Sequence, residues 1–380
     1  MFNVAVGHSD NFDSKDAAEE ILAQCALKLG EAIPQAGILF AGMDYDHQGI
    51  LDQIGETHPD LELVGCTTDG ETSSVMGFGE DSITLMLLSS DTVSINAGIG
   101  FGVVANPKEA ASSAVLDALS KSDKKAGLCI TVPEGLGTNS MAVIDSLNET
   151  LGSGVPVVGG MSGDQMRFTQ TYQFFNGKVF SDSIPVLVFS GDFLCSYGVA
   201  TGWNPLGDKH LVTEATGNVI MTIDGKPAKD LYTRYLNDHS VHYPLAVYPQ
   251  DDEHFYLSTP TRFDDDGSIV CQNTVRTGSH VRLSEATRDE IISGAALATQ
   301  AAIDGYPGSN PAGGIIFSCA GRKAALGTRT VEEIALFTEE LSSDIHIGGF
   351  YTYGEICPLP NSEFSQSHNC AFVTVLIGES

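Results

Sequence analysis

A short motif occurs three times in this chain, at residues 63–71, 157–164 and 347–355. Each copy is an apolar run, then glycine, then a short connecting stretch that ends in a second glycine and an acid: Glu71, Asp164 and Glu355. We refer to the copies as the three glycine segments. Because a repeat reports how a chain is assembled from similar units, this motif constrains the fold more than composition does.

The surroundings of the glycine segments repeat as well. Short apolar runs bounded by turn residues precede them at 37–42, 127–131 and 314–319, and such runs are typical of strands covered on both faces. Apolar residues at spacings of three or four then predict a helix in each copy, and further strands follow at 83–88, 185–189 and 371–377. The sequence therefore predicts an α/β fold of repeated β-α-β-β units with mixed sheets, the first two strands of each unit being parallel neighbours.

The length of the chain favours two domains. Its 380 residues exceed what one ordinary core accommodates. The stretch Gly202-Trp203-Asn204-Pro205 interrupts the strand pattern and has the composition of a hinge. We place the boundary there, with an N-terminal domain at 1–203 and a C-terminal domain at 204–380 that contains a β-rich insert at about residues 240–285.

The charge balance excludes several classes of partner. Nineteen Lys and Arg residues stand against 49 Asp and Glu, and a net charge of −30 repels nucleic acid and anionic lipid. No apolar stretch has the length of a membrane span, and the N-terminus enters a strand without the basic start of a signal peptide. We expect a cytoplasmic protein without membrane contact, whose acidic surface is solvated rather than reserved for a basic partner.

Neither the cysteines nor the motif search predicts an enzyme. The eight cysteines include no CxxC pair and no zinc-ligand spacing, so small buried side chains are expected, although Cys66 and Cys357 could face a ligand. Ser162 lies in a glycine turn, but the G-x-S-x-G spacing of a nucleophile elbow is not met. HExxH, a Walker loop and an early GxGxxG are all missing from the sequence. A hydrolase using Ser162 is the weakest alternative.

Taken together, these segments resemble the FIST family, with both its N-terminal and C-terminal domains. The resemblance covers nearly the whole chain and is carried by residues 64–71, 159–164, 202–203, 223–228, 243–245, 349–355 and 367–369. It implies a sensory, ligand-binding role in bacterial signal transduction, with small ligands such as amino acids. A stand-alone chain of this length is also similar to the NosP-type nitric-oxide sensors, which bind haem through a histidine and regulate a partner histidine kinase in a two-component system.

The resemblance therefore implies a haem cofactor, a gas or small-molecule ligand, and a histidine kinase or other signalling protein as partner, while a homodimer is left open. Haem needs an axial ligand, an apolar slot and groups for its propionates. Among ten histidines, His242, then His239, then His254 are the candidates, because they surround the start of the β-rich insert. Arg262 is the candidate for a propionate, and His242 for the iron. The alternative is that all three histidines lie on the surface.

The third glycine segment carries the other candidate site. Its Tyr351, Tyr353 and Glu355 are followed by His368 and Asn369 before the last strand, so these side chains could meet at one strand edge. Amide and carboxylate groups suit an amine- or amide-bearing ligand. The alternative is a buried network that stabilises the turn. This site predicts a haem-independent receptor for a small metabolite such as an amino acid.

Overall fold

A computed structural model describes residues 2–236, 243–249, 254–340, 345–360 and 362–379, with backbone only for residues 336–340. These residues form a mixed α/β structure whose strands lie in four sheets. Three similar units follow one another along the chain, and the third is interrupted by an insert. The predicted α/β class with repeated units, mixed sheets and a β-rich insert is confirmed.

Unit one contains β1 (Asn3–Ser9), α1 (Ser14–Leu29), β2 (Ala36–Ala41), α2 (His47–Thr57), β3 (Glu62–Thr67), β4 (Glu71–Ser73), β5 (Gly77–Gly79) and β6 (Ile83–Ser89). Unit two contains β7 (Ser94–Phe101), α3 (Pro107–Leu119), β8 (Ala126–Thr131), α4 (Ser140–Leu151), β9 (Val157–Gly160), β10 (Gln173–Phe175), β11 (Lys178–Phe180) and β12 (Ser183–Ser190). The two units thus have the same order of elements.

Unit three begins with β13 (Leu194–Ala200), and the insert follows: β14 (Asn204–Thr216), β15 (Val219–Ile223), β16 (Lys226–Pro227), α5 (Lys229–Leu236), β17 (Leu245–Tyr248), β18 (Tyr256–Ser258), β19 (Pro260–Phe263), β20 (Ile269–Cys271) and β21 (His280–Glu285). Unit three resumes with α6 (Arg288–Gly305), β22 (Gly313–Cys319), α7 (Ala320–Leu326), a 3-10 turn (Gly327–Arg329), α8 (Thr330–Glu340), β23 (His346–Thr352), β24 (Glu355–Pro358), β25 (Ser365–His368) and β26 (Phe372–Gly378).

Each unit builds one six-stranded sheet and completes the sheet of another unit. The orders are β1-β6-β2-β3-β10-β11, β7-β12-β8-β9-β24-β25 and β13-β26-β22-β23-β4-β5. In every sheet, four strands come from one unit and the last two are a hairpin from a different unit. Unit two completes the first sheet, unit three the second, and unit one the third, so that the exchange of hairpins is a closed cycle.

The predicted parallel neighbours are present in all three units. β2 pairs with β3, β8 with β9, and β22 with β23, each in parallel, and a helical connection lies between the partners. Every residue of β2, β22 and β26 is buried. Strands that are apolar on both faces need a cover on each side, because burial of a large apolar side chain contributes about 1.5–3 kcal/mol.

One core cluster joins the three sheets, and it includes Phe40 of β2, Ile130 of β8 and Phe317 of β22. The ring of Phe350 packs at its centre, with centroids 4.5 Å from Phe40 and 5.7 Å from Phe317. The helices of each unit cover the opposite faces in separate clusters. Each sheet therefore lies between the common core and its own helices, which is a stable layer arrangement.

The insert forms the fourth sheet, ordered β18-β17-β21-β14-β15-β20-β19 with β16 beside β15, and it has its own apolar cluster. It begins at residue 204, where the sequence places the domain boundary and well before the predicted start of the insert near 240, and it ends at 285 as predicted. β13 precedes that boundary and pairs with β26, so the third sheet takes strands from both sides of it. The division into 1–203 and 204–380 stays a prediction. Among the described helices, none combines the length and apolar character of a membrane span.

Candidate functional site

The three glycine segments meet at one place, which we name the junction. β4 of the first segment pairs with β23 of the third, and β24 of the third pairs with β9 of the second. The second and first segments are joined directly, because the Gly163 N–H donates to the Thr67 carbonyl over 2.9 Å. Further backbone bonds link them: Tyr351 N–H to the Gly70 carbonyl at 2.8 Å, Asp69 N–H to the Tyr351 carbonyl at 2.9 Å, and Met161 N–H to the Gly354 carbonyl at 2.9 Å.

The glycine before Asp164 permits this close approach. A Cβ atom on Gly163 would lie 3.0 Å from the backbone nitrogen of Asp69 and 3.0 Å from the carbonyl carbon of Thr68. Any larger residue would therefore press on the backbone of the first segment. In the second copy of the motif, glycine therefore allows the segment to pack directly against the first copy.

Asp69 is the unusual side chain of the junction. It follows β3, at the carboxyl end of a parallel strand, where α/β proteins tend to bind ligands. It is fully buried, yet its Oδ1 has no hydrogen-bond partner among the described residues. Burial raises the pKa of Asp69 to about 6, against the opposing effect of Lys323. Buried polar atoms are nearly always paired, so this carboxyl group has unused binding capacity.

Lys323 is the counter-ion of Asp69. Its Nζ lies 3.1 Å from Asp69 Oδ2 and forms an ion pair with it. The same Nζ lies 2.8 Å from Oε1 of Glu80, whose side chain is 62% exposed. Lys323 comes from α7, directly after β22, and its side chain is 13% exposed. The ammonium therefore connects the buried carboxyl group of the junction to the surface.

Asp164 and Tyr353 form the second part of the junction. The Tyr353 hydroxyl donates to Asp164 Oδ1 over 2.5 Å, and backbone N–H groups of residues 168–170 donate to the same carboxylate. Burial acts to raise the pKa of Asp164, but the Tyr353 and backbone donors outweigh it and hold the pKa below its usual range. The exposed ring of Phe168 stacks on Tyr353 at 5.2 Å between centroids. The junction thus presents two carboxyl groups, one ammonium and an aromatic wall.

The predicted haem residues fall in two groups. His239 and His242 lie outside the described residues. His254 is exposed just before β18, and Arg262 on β19 is exposed and pairs with Asp264 at 2.5 Å between Nε and Oδ1. The structure therefore places His254 and Arg262 on the surface rather than in an apolar slot. Within the described ranges, no group of three or more His, Cys, Asp or Glu side chains is arranged to hold a metal ion.

The five candidates from the third segment and the last turn meet only in part. Glu355 and His368 are paired residues of β24 and β25, whereas the two tyrosine hydroxyls bond different carboxyl groups. Four of the five make buried hydrogen bonds within the fold: the Tyr351 hydroxyl donates to Glu333, Glu355 accepts from the Ala371 N–H, His368 Nε2 bonds the Cys357 carbonyl, and the Asn369 amide donates to the His368 carbonyl. Burial lowers the pKa of His368 to about 4. Among the five side chains, that of Tyr353 bonds Asp164, while Tyr351 and Glu355 join the junction through their backbones. These contacts are those of a buried network that stabilises the turn, which was the alternative interpretation of the sequence. A binding role for the five residues stays a prediction.

The sequence did not single out Asp69 or Lys323. One signal for Asp69 was its position in the first glycine segment, where the other two segments have Ser162 and Tyr353. A signal for Lys323 was its charge, since it lies four residues after an apolar strand in a chain with only 19 basic residues. Neither signal indicates that the two residues meet, because they belong to different units.

Comparison with family models gives two matches. The FIST N domain matches residues 35–226, and the FIST C domain matches residues 228–358. An uncharacterised protein of Mycobacterium tuberculosis (strain ATCC 25618 / H37Rv) is 24% identical over 376 residues, which cover 94% of this chain and 95% of that protein. An uncharacterised protein of Mycobacterium bovis is 22% identical over 379 residues, covering 94% of each chain.

Two further similarities are more limited. An uncharacterised protein of Methanocaldococcus jannaschii is 29% identical over 86 residues, covering 23% of this chain and 17% of that protein. A solved structure of a cyanuric acid hydrolase from A. caulinodans aligns over 100% of both chains with 8% identity and a TM-score of 0.33. At that TM-score the likeness supports no inference about fold or activity.

Proposed function

Because this chain belongs to the FIST family, we propose that it is a haem-independent receptor for a small zwitterionic metabolite, such as an amino acid, bound at the junction. FIST domains are associated with the sensing of small ligands in signal transduction. The observation that carries the proposal is the buried carboxyl group of Asp69, whose Oδ1 has no hydrogen-bond partner among the described residues.

A zwitterion matches the charges of the junction. The ligand's ammonium supplies the hydrogen-bond donors that the Asp69 carboxylate lacks, and such charge-assisted bonds are among the stronger ones in proteins. The ligand's carboxylate replaces the exposed Glu80 as the partner of the Lys323 ammonium. Asp164 is already satisfied by Tyr353 and by backbone donors, so its part is to hold the Tyr353 ring in place as an apolar wall.

We propose binding without turnover, and an output through another protein. The Ser162 hydroxyl is buried and donates to the Pro133 carbonyl over 2.9 Å, which supports a structural role rather than nucleophilic attack. The three units exchange hairpins around the junction, so a ligand there can act on all three sheets at once. We propose a histidine kinase or other signalling protein as the partner, in the cytoplasm.

Removal of either charge at the junction is expected to weaken the binding of amino acids. With a ligand found by a thermal-shift screen, Asp69→Asn and Lys323→Met should each raise Kd by roughly 10- to 100-fold, since a hydrogen bond to a charged group contributes about 1.5–3 kcal/mol. Binding by the wild type should also weaken as pH falls through about 6, because protonation removes the Asp69 charge. Isothermal calorimetry measures both effects.

Matched controls are available on the exposed surface. Asp117→Asn on α3 and Lys178→Met on β11 make the same chemical changes away from the junction and should leave Kd unchanged. A ligand whose Kd is the same in Asp69→Asn, Lys323→Met and the two controls would show that the junction is not its site.

The haem-binding nitric-oxide sensor is the second candidate. The observation that favours it is the sequence cluster of His239 and His242, which lies outside the described residues. The described residues do not fit haem well, because His254 is exposed and the Arg262 guanidinium is paired with Asp264. The ring nitrogens of the buried His8 are hydrogen-bonded to Ser73 and Ser82, which leaves neither free for iron.

An absorbance spectrum separates the two candidates. We expect the protein, purified from cells supplied with haem, to show no Soret band that depends on these histidines. A Soret band that is present in the wild type and lost in His242→Ala or His239→Ala would contradict haem independence. His58→Ala, a change at a histidine outside the cluster, is the matched control.

A further inference from the structure

Two thiols lie side by side at the end of the third sheet. Cys319 is the last residue of β22, and Cys370 lies in the turn between β25 and β26. The Cys319 N–H donates to the Ala371 carbonyl over 3.1 Å, which ties the turn to the strand end. A Cβ atom on Gly321 would lie 3.6 Å from each of the two sulfur atoms. Both residues are free cysteines that unit three brings together from distant parts of the chain.

The pair is close to the surface. Gly321 is exposed, so the two sulfurs lie beneath a residue that has no side chain to cover them. Cys319 and Cys370 retain 5% and 7% exposure, whereas Cys66, Cys129 and Cys357 are fully buried. A small oxidant therefore has a short path to this pair, while five of the other six thiols are enclosed in cores and the sixth, Cys195, is half-buried.

Polar groups surround the pair. The Thr259 hydroxyl lies 3.7 Å from Cys370 Sγ, and Arg322 Nη1 donates to the Cys370 carbonyl over 3.3 Å. The Glu355 carboxyl group is buried beside Cys319, and its Oε1 has no hydrogen-bond partner among the described residues. Structural cysteines usually have apolar surroundings, so this environment is unusual.

The pKa of Cys370 also differs from the pKa values of the other cysteines. All eight cysteines are described, and Cys370 is the one whose pKa is lowered, because its neighbour Cys319 hydrogen-bonds to it against the effect of burial. The same contact raises the pKa of Cys319. Burial raises the pKa of the remaining six, as for Cys271 to about 12. A thiolate attacks peroxides and disulfides, and a thiol does not.

We propose that Cys319 and Cys370 are a redox-active dithiol that a hydroperoxide converts into a disulfide. The Cys370 thiolate attacks one peroxide oxygen, the O–O bond breaks, and an alcohol or water leaves as the sulfur is oxidised to a sulfenic acid. Cys319 then attacks the Cys370 sulfur, an S–S bond forms, and the S–O bond breaks. The Glu355 carboxyl group carries the proton from Cys319 to the departing hydroxide, which leaves as water.

The stoichiometry is one hydroperoxide for two thiols. The two electrons that reduce the peroxide come from the two sulfurs, and the products are one disulfide, one water and one alcohol, or two waters from hydrogen peroxide. A dithiol reductant reverses the reaction by thiol–disulfide exchange. Cys319 directly precedes α7, which carries Lys323, so the disulfide also acts on the junction if the proposed receptor function holds.

The test uses the full chain, reduced with dithiothreitol, freed of reductant and titrated with hydrogen peroxide. We expect two of the eight thiols to be lost, a peptide that links Cys319 to Cys370 in non-reducing mass spectrometry, and full recovery of both thiols on reduction. Retention of all eight thiols, or a disulfide between other cysteines, would overturn the proposal. This measurement on the wild type does not depend on the folding of any variant.

Single substitutions show which cysteine attacks the peroxide and which one then forms the disulfide. Cys319→Ser should stop at a sulfenic acid on Cys370, which dimedone traps, and Cys370→Ser should give neither product. Cys195→Ser, at the half-buried cysteine of β13, should keep the Cys319–Cys370 disulfide. If dimedone labelled Cys319 in the Cys370→Ser variant as fast as it labels Cys370 in the Cys319→Ser variant, Cys370 would not be the attacking thiol. Loss of ligand binding at the junction would leave all of these outcomes unaffected.

Discussion

Arg322→Met is expected to lower the free energy of unfolding by about 3–5 kcal/mol, because it leaves a buried carboxylate without its counter-ion. Arg322 and Glu333 are both fully buried, with Arg322 Nε 2.8 Å and Nη2 2.5 Å from Glu333 Oε1. Arg322 also donates to the backbone carbonyls of Thr201 and Ile291, which lie on either side of the insert. The loss therefore affects the third sheet at the point where the insert leaves and rejoins unit three.

The effect of the unpaired Glu333 charge can be separated from the effect of the smaller side chain at position 322. If the unpaired charge is responsible, Arg322→Met combined with Glu333→Gln should be more stable than Arg322→Met alone, because Gln carries no charge and still accepts a hydrogen bond from the Tyr351 hydroxyl. Urea denaturation measures the four corners of this cycle. Arg329→Met, which breaks exposed contacts with Glu332 and Asp289, should leave the midpoint nearly unchanged. A double variant less stable than either single variant would exclude the charge as the cause.

The local parts of the fold could be predicted from the sequence. The paired strands β2–β3, β8–β9 and β22–β23 and the helices between them follow from apolar runs and periodicity, which are set by residues close in sequence. The exchange of hairpins could not be predicted in this way. β4, β10 and β24 have similar places in their units, and nothing in a local pattern states which sheet each of them joins.

The candidate site was predictable only in part, for the same reason. The glycine segments indicated where a ligand could bind, and the Tyr353 side chain contacts Asp164 of the second segment, but a binding role for Tyr353 stays a prediction. Alternation along a strand places Tyr351 and Tyr353 on one face. β23 ends at Thr352, however, so Tyr351 points to Glu333 in the core while Tyr353 reaches Asp164. Asp69 and Lys323 meet only because unit one completes the sheet of unit three.

Gly159→Ala is expected to lower the free energy of unfolding by about 3 kcal/mol or more, since the new atom has no space and the backbone is strained. Gly159 has a φ of +155°, and a Cβ atom there would lie 1.9 Å from the carbonyl oxygen of Thr131, its partner in β8. No side-chain rotation relieves a contact with backbone, so the two strands must separate. Denaturation in urea, or the soluble yield where folding fails, measures the effect.

A Gly→Ala substitution at a position with free space should instead raise the free energy of unfolding. Gly55 lies within α2, and a Cβ atom there would meet nothing within 4 Å, so Gly55→Ala should stabilise the protein by about 0.5–1 kcal/mol. Gly159 also pairs with Ile356 of the hairpin that unit three contributes to the second sheet. Gly159→Ala therefore acts on the contact between two units as well as within one. An unchanged urea midpoint in Gly159→Ala would contradict the close packing of the strand ends from which the junction is built.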